Sequence, residues 1–479
     1  MKQTEDKQGK RASGKASGKS PRPPRGMRDF LAAQVMRRRR VISTIRSVYE
    51  RYGFEPLETP AMEDLDVLMG KYGEEGDQLL FKVLKRGDKL RRVLAQGTGR
   101  DLAAADLADL GLRYDLTVPL ARVVANHRAE LSVPYKRYQI QPVWRADRPA
   151  KGRFREFYQC DVDVVGASGP LVEAELLGAA GEALAELGFA DFRIRLNHRG
   201  LLFGLLDAAG LPSDRWMEAV VAVDKMDKIG PEGVAGQLEE RGIVGAKALV
   251  DMLTSLSGPG DRTNEALLAA LLERAGEPVR AGVEELSSIV SMCAAGPASG
   301  HLVVDPALAR GLSYYTGAIF EIDSPDLSVS LAGGGRYDGL IGMFSGRDLP
   351  ACGISLGLER ILEIMESRGM FAGQDHGPQV LVTTWNQDLS AESLHLAAEL
   401  RRAGLKVDLH PKPGKIGKQL KYAAGRDIPL AVILGPDEAA AGQVVLKDLR
   451  QGTQQTLSQA DLPSAVRRLL SLGESESET

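Results

Sequence analysis

Three arginines, an aromatic ring, an amide and a carboxylate crowd into one short stretch: Arg145, Arg153, Arg155, Phe157, Gln159 and Asp163. Guanidinium groups at this spacing clamp phosphates bidentately, a ring beside them stacks on a planar base, and an amide with a carboxylate receives a polar, cationic group. An ion-pair ladder on an exposed strand face would use the same letters. Other segments supply complementary chemistry. In Arg113-Tyr114-Asp115-Leu116-Thr117, alternation places Arg113, Asp115 and Thr117 on one side, and a carboxylate and a hydroxyl two residues apart can hold an ammonium group. An exposed strand with a turn gives the same pattern. Arg310 precedes the hydroxyl-bearing pair Tyr314 and Tyr315.

Gly333-Gly334-Gly335-Arg336-Tyr337 spends backbone entropy, which favours close approach of a ligand or tight packing. It fits neither the Walker lysine pattern nor the dinucleotide-binding glycine spacing. Arg360 opens a helix, where the dipole mildly disfavours a cation, hinting at something anionic or aromatic opposite. Towards the C-terminus, residues 401–426 hold eight Lys or Arg against one Asp, and Lys415, Lys418 and Lys421 share a helix face opposite Ile416, Leu420 and Ala424. A polyanion is the natural partner of such a face, with Tyr422 the nearest aromatic; a merely solvated helix is the alternative.

The elements that must carry these groups follow from periodicity. Tyr138–Arg145 and Tyr158–Val164 alternate around a polar turn at 147–152 and predict an antiparallel hairpin, although Pro142 argues against a regular central ladder. A period of two gives one face to Arg155, Phe157, Gln159 and Asp163 and the opposite, buried face to Tyr158, Cys160 and Val162. Helices are predicted at 31–52, 171–187 and 358–366, and repeatedly between 201 and 300; strands are predicted at 302–304, 318–322 and 328–331. From 378 the rhythm changes to alternating strands and helices, about 90 residues of α/β character.

At 479 residues the chain has room for about three domains by the rule of roughly 150 residues each. Three cysteines, an odd number without Cys-x-x-Cys spacing, exclude a disulfide scaffold and give no zinc signature. No run approaches 18 apolar residues and no signal peptide opens the chain, so a reducing, cytoplasmic setting is expected, with no membrane partner. A net charge of −3 leaves nucleic-acid contacts to local patches. Residues 1–25, with eight Lys or Arg and little to bury, predict a disordered basic tail, and the Glu/Ser-rich end an unstructured acidic one.

Together these letters are more specific than any one of them. Leu112–Arg122 (LRYDLTVPLAR), Arg145 with Gly152–Asp163 (GRFREFYQCDVD), Arg310–Gly317 (RGLSYYTG) and Gly357–Arg360 (GLER) resemble the motifs of histidyl-tRNA synthetases, class II aminoacyl-tRNA synthetases. The resemblance implies an α+β chain: a class II antiparallel sheet flanked by helices in a catalytic domain (25–216 and 301–372), a helical insertion (217–300) and a C-terminal α/β anticodon-binding domain (378–470), between a basic tail (1–24) and an acidic tail (471–479). It implies ATP-dependent ligation of L-histidine to the 3′ end of tRNA(His) through histidyl-adenylate, with ATP and Mg²⁺ as cofactors, no protein metal-ligand set, and a homodimer.

By the same resemblance, Arg145 and Arg310 are the catalytic cations beside the α-phosphate. Arg145, Arg153, Arg155, Phe157 and Arg360 are the ATP contacts, with Phe157 and Arg360 on the two faces of adenine. Asp115, Thr117, Gln159, Asp163, Tyr314 and Tyr315 surround histidine, Asp163 and Tyr315 gripping the imidazole, and Lys415, Lys418 and Lys421 meet tRNA. Ser313 stands where the family has Asp. The regulatory subunit of ATP phosphoribosyltransferase shares the catalytic fold but typically loses the anticodon domain and the activation arginines, all of which this chain retains. A non-enzymatic RNA-binding relative would keep the basic patch without needing the complete ATP set.

Overall fold

The computed structural model describes residues 21–69, 79–96, 102–257, 262–310, 314–371 and 377–475. Ser313 and nearly all of the basic tail lie outside these, as does the end of the acidic one. The chain divides into two compact units, the first comprising residues up to Phe30 with Val41–Ile361 and the second Leu31–Arg40 with Leu362 onward.

The first unit is built on an eight-stranded sheet. In chain order the strands of this unit are β1 (Glu55–Pro56), β2 (Met62–Asp64), β3 (Lys82–Leu84), β4 (Ala108–Leu112), β5 (Tyr135–Trp144), β6 (Glu156–Val165), β7 (Arg193–His198), β8 (Leu302–Val304), β9 (Ala318–Asp323), β10 (Ala332–Arg336) and β11 (Ala351–Gly357). The large sheet runs β1-β5-β6-β11-β10-β9-β7-β8, antiparallel except where β1 joins β5 and β8 joins β7. β2, β4 and β3 form a small second sheet. Ala108 of that sheet, Leu65 and Leu68 of the short helix Leu65–Leu68 and Val118, Leu120 and Val124 of the helix Thr117–Asn126 share a core.

The predicted hairpin is β5–β6, but its strands are shorter at the turn end than the letters imply. Arg145, Arg153 and Arg155 sit in the connection, and β5 pairs Arg137 with Asp163, Gln139 with Asp161, Gln141 with Gln159 and Val143 with Phe157. Pro142 is tolerated inside β5 because β1 pairs only at Arg137 and Tyr138; beyond that no strand needs its missing N–H. The alternation holds, and the polar face is not the alternative, an exposed ion-pair ladder: Arg137, Gln139, Asp161 and Asp163 are buried, as are Cys160 and Val162. Behind the apolar face lie residues 41–51 of the helix Ala32–Arg51, whose Tyr49 hydroxyl donates to Cys160 O (3.2 Å), and the helix Pro170–Glu186. The latter opens with proline, whose missing N–H is harmless in a first turn, and buries Leu176, Leu177, Ala180 and Leu184.

Two other strand expectations fail. Arg113–Thr117 is no strand: Thr117 begins a helix, and while Asp115 and Thr117 both face the same cavity, Arg113 is turned away from them. The strand expected at 328–331 begins instead at Ala332, and it is the glycine triplet itself that forms β10. The helical stretch is present as Trp216–Val223, Met226–Glu240, Ala246–Ser257, Asn264–Ala275 and Arg280–Cys293, the second interrupted at Gly230 (φ 71°) before Pro231.

In the second unit β12 (Val380–Val382), β13 (Val407–Leu409), β14 (Leu430–Ile433), β15 (Gln443–Asp448) and β16 (Gln454–Ser458) are ordered β13-β12-β14-β15-β16, the first three parallel and the rest antiparallel. Val380, Val382, Leu396, Leu400, Val432, Leu446 and Val466 form its core. Among the described residues no helix is long and apolar enough to cross a membrane.

Candidate active site and basic surface

Strands β6, β11, β10, β9 and β7 floor a cavity of about 1230 Å³. Into it the structure brings Asp115, Thr117, Arg145, Phe157, Gln159 and Asp163, together with Arg310, Tyr314, Tyr315 and Arg360. Arg153 reaches the rim, where it forks onto Asp147 (3.0 and 2.8 Å). Arg155 does not line the cavity: its Nε donates to Asp147 O (2.8 Å) and its backbone N–H to Gly26 O (2.8 Å), so it shapes the loop.

One end of the cavity is cationic. Arg145 Nε donates to Tyr114 O (2.9 Å) with its guanidinium 5.1 Å from the Phe157 ring centroid; Arg310 Nη1 donates to Glu321 Oε2 (3.0 Å); Arg360 Nη1 donates to Ser330 O. The hold on a proton is weakened at Arg360 by burial first and then by Arg145, Arg310 and Arg153. Converging cations of this kind call for an anion. The glycine triplet turns out to be a packing device with a chemical purpose. A Cβ at Gly333 would overlap the Arg310 guanidinium, at Gly334 the backbone of β11, and at Gly335 both Ala318 O (2.6 Å) and the Tyr315 ring (2.8 Å).

The other end carries carboxylates, hydroxyls and an amide. Asp115 Oδ1 accepts from Val118 N–H (3.2 Å), so one carboxylate caps the helix that Thr117 begins. Arg113 is directed elsewhere, buried and bonded to Thr59, Pro142 and Gln141. Tyr337 donates its hydroxyl to Asp163 Oδ1, while Arg137 Nη2 lies 2.9 Å from Asp163 Oδ2 without hydrogen-bond alignment. Tyr314 and Tyr315 join hydroxyls at 3.3 Å. Gln159 Nε2 donates to Ser355 Oγ (2.9 Å), whereas its Oε1 is buried without a partner among the described residues. Burial pushes Asp115 and Asp161 up to about 7 and raises Asp163, opposed in each case by nearby arginine charge.

Several members of this site were missed from sequence. Asp161 obeys the same period of two as Gln159 and Asp163 and was legible. Arg137 needed the β5–β6 register to be placed opposite Asp163. Tyr337 sits inside the glycine segment but had no visible partner, and nothing marked Glu321 or Ser355.

On the second unit, Lys415, Lys418 and Lys421 are exposed along the helix Ile416–Ala424. Its inward face is Ile416, Gln419, Leu420 and Ala423; Ala424, expected inside, is exposed. Tyr422 donates to Asp408 Oδ2 (2.9 Å) and meets Arg426, so its hydroxyl is already engaged. The aromatic nearest Lys415 is one the letters did not single out. Trp385, 43% exposed, lies with Gly414, Lys415, Ile416 and Ile433 around a shallow pocket. It follows β12, at the carboxyl ends of parallel strands whose connections diverge to β13 and β14, where α/β sheets commonly bind ligands. Buried Gln419 fixes the spot by bonding Thr384 N and O (3.0 and 2.9 Å) and Gly414 O (3.1 Å).

Residues 26–361 match the family model described as histidyl-tRNA synthetase, and residues 379–469 match the anticodon binding domain. A histidine–tRNA ligase of Porphyromonas gingivalis is 44% identical over 94% of this chain and 99% of its own. One from Gloeobacter violaceus is 42% identical over 90% and 95%. The crystal structure of histidyl-tRNA synthetase from Nostoc sp. PCC 7120 superposes with a TM-score of 0.76 at 30% identity, covering 95% of this chain and all of that one. With two family models spanning most of the sequence and relatives aligned nearly end to end, the chain belongs to the histidyl-tRNA synthetase family.

Proposed function

We propose that the cavity ligates L-histidine to the 3′ end of tRNA(His) in two steps, activation by ATP and transfer of the acyl group. The supporting observation is the joining, in one cavity, of a cationic end and an end built from carboxylates, hydroxyls and an amide. Arg145 and Arg310 flank the α-phosphate and stabilise the charge that develops as the histidine carboxylate attacks it, where preorganised donors contribute most. Phe157 stacks on adenine, Arg360 takes its other face and the γ-phosphate, and Arg153 meets phosphates or the acceptor end from the rim; Arg155 acts by holding the loop.

Asp115, Thr117 and Gln159 receive the α-ammonium. Asp163 and Tyr315 hold the imidazole, with Tyr314 fixing Tyr315. A site whose buried polar groups are left unpaired by the wrong side chain rejects it by roughly 10⁴ or more, so no editing domain is needed. Among the described residues no three His, Cys, Asp or Glu cluster to hold a metal ion. Mg²⁺ would be a guest of the phosphates, held by one or two carboxylates, and Glu321, which lines the cavity beside Arg310, is the carboxylate that would hold it. Such an ion supplies charge neutralisation at the phosphates.

Lys415, Lys418 and Lys421 contact tRNA phosphates beside a base stacked on Trp385. The assignment of 25–216 with 301–372 to catalysis, 217–300 to the acceptor arm and 378–470 to the anticodon, homodimerisation and a cytoplasmic setting complete the reading. The test is ATP–pyrophosphate exchange with each amino acid in turn. Exchange restricted to histidine is expected; exchange with none of them, from folded protein, would overturn the reading in favour of a regulatory or RNA-binding role.

A further inference from the structure

One carboxylate in the cavity has no part in the scheme above. Asp161 is 2% exposed, lines the cavity and shares its face of β6 with Gln159 and Asp163. Asp115 joins them from the segment before the Thr117–Asn126 helix, so three carboxylates converge on the amino-acid end.

The positive charge facing them is small. Arg137, fully buried, places Nη2 2.9 Å from Asp163 and 3.9 Å from Asp161. Arg113 acts on Asp161 from further off but spends its donors on Thr59, Pro142 and Gln141. Arg145, bonded to Tyr114 O, bears on Asp115. Among the described residues the remaining neighbours are neutral. Tyr337 donates to Asp163, Tyr49 to Cys160 O, and Tyr314 to Tyr315, each phenol made harder to ionise by burial. From β11, Ser355 is the register partner of Asp161, hydrogen-bonds it, and accepts from Gln159 Nε2.

Three carboxylates against one close guanidinium in a buried wall cannot all be charged cheaply, so the empty floor keeps a proton that the group shares. A ligand ammonium brings the charge the floor lacks. The geometry points to Asp161 as a specificity-determining residue of the amino-acid end: a reserve carboxylate that is protonated in the empty cavity and releases its proton to solvent when an α-ammonium group enters. The balance is one cation in, one proton out. A ligand without the ammonium leaves that proton where it is, and the floor stays neutralised without it. The inference rests on Asp115, Thr117 and Gln159 being the ammonium contacts. The raised position of Asp161, pushed up to about 7 by burial, agrees with it.

Calorimetry of L-histidine binding to the full chain, repeated in buffers of different ionisation enthalpy, counts the protons exchanged. Near pH 7 histidine should release about half to one proton from the chain that imidazole-4-propionate, which lacks the ammonium, does not, and this release should shrink as pH rises from about 7 towards about 9. The α-ammonium lowers the ring pKa of histidine relative to imidazole-4-propionate, so ring titration cancels not between the ligands but between the unaltered chain and its Asp161 variants, and the part of the difference the variants lose is the Asp161 proton. Asp161→Asn should cut the difference by about half or more, and Asp161→Ser, smaller and uncharged, serves if the amide is not accommodated. A ligand-to-ligand difference in the variants equal to that of the unaltered chain would overturn the inference while leaving the histidine site standing. Failure of histidine to bind at all would instead overturn the site on which it rests.

Discussion

The two ligand-facing regions of this molecule gather positive charge by opposite means. In the cavity Arg310 and Arg360 are locked: each guanidinium is tied to a defined oxygen, Glu321 or Ser330, and glycine is required at 333 to leave Arg310 room. On the second unit Lys415, Lys418 and Lys421 stand exposed on a helix surface. A locked charge is preorganised, poorly screened and aimed at one atom, which suits a transition state. An exposed charge is screened beyond about 10 Å at 0.1 M salt and contributes by number, which suits a polyanion that must come and go. The contrast predicts how hard each region is to break.

The largest effect belongs to Arg310→Ala. Losing one preorganised donor should slow adenylate formation by more than about 100-fold, with far-ultraviolet circular dichroism and melting temperature near those of the unaltered chain. Single-turnover activation near the original rate would show that the cationic end is not where charge develops.

Asp115→Asn should weaken histidine binding by roughly 10- to 100-fold, the scale of a lost charge-assisted hydrogen bond. It also carries a pH signature. Asp115 titrates near 7 in the folded chain, above the roughly 3.9 of an unfolded aspartate, so the folded state holds the proton longer. Its contribution to stability is therefore greatest below about pH 4, declines as pH rises to about 7 and is level beyond. Histidine affinity should move the other way, rising over about pH 6–8 as the carboxylate ionises, and the Asn variant should flatten that profile. A profile unchanged by the substitution would remove Asp115 from the ammonium site.

Gly333→Ala separates fold from chemistry. The added methyl meets the movable end of Arg310 rather than backbone, so the chain should fold and melt normally while activation falls about 10-fold, since a displacement of about 1 Å at a reacting centre is enough. Gly334→Ala, which meets the β11 backbone, should instead lower the melting temperature. Equal melting losses in both would show that the triplet serves packing alone.

What the letters revealed follows the same division. Groups carried by local periodicity were legible: the β5–β6 hairpin, Gln159 and Asp163 on one face, and the helix holding Lys418 and Lys421. What depended on long-range register was not. Arg137 comes to back the cavity, buried behind Asp163, only because β5 sets it opposite that residue, and Glu321 meets Arg310 only because β9 passes it. The strands within 62–112 went unpredicted because they are only 3, 3 and 5 residues long, too short for a period to show. Arg113–Thr117 misled because alternation over five residues does not distinguish a strand from a turn entering a helix. Trp385 escaped notice since an isolated indole after a strand acquires meaning only when Gly414 and Lys415 come beside it.

The smallest effects should come from the lysines, and their pattern matters more than their size. Lys415→Ala, Lys418→Ala and Lys421→Ala should each weaken tRNA binding only about two- to fivefold at low salt and lower the slope of log affinity against log salt by about 0.7–0.9, one phosphate contact apiece. Their losses should add, because exposed charges on one helix share no rigid partner, and histidine-dependent exchange should be untouched in all three. Trp385→Ala should cost more, about 10-fold, and leave the salt slope where it was, since stacking releases no counterions. A lysine variant whose loss survives high salt would mean a specific, locked contact, and the two regions would then differ in depth rather than in kind.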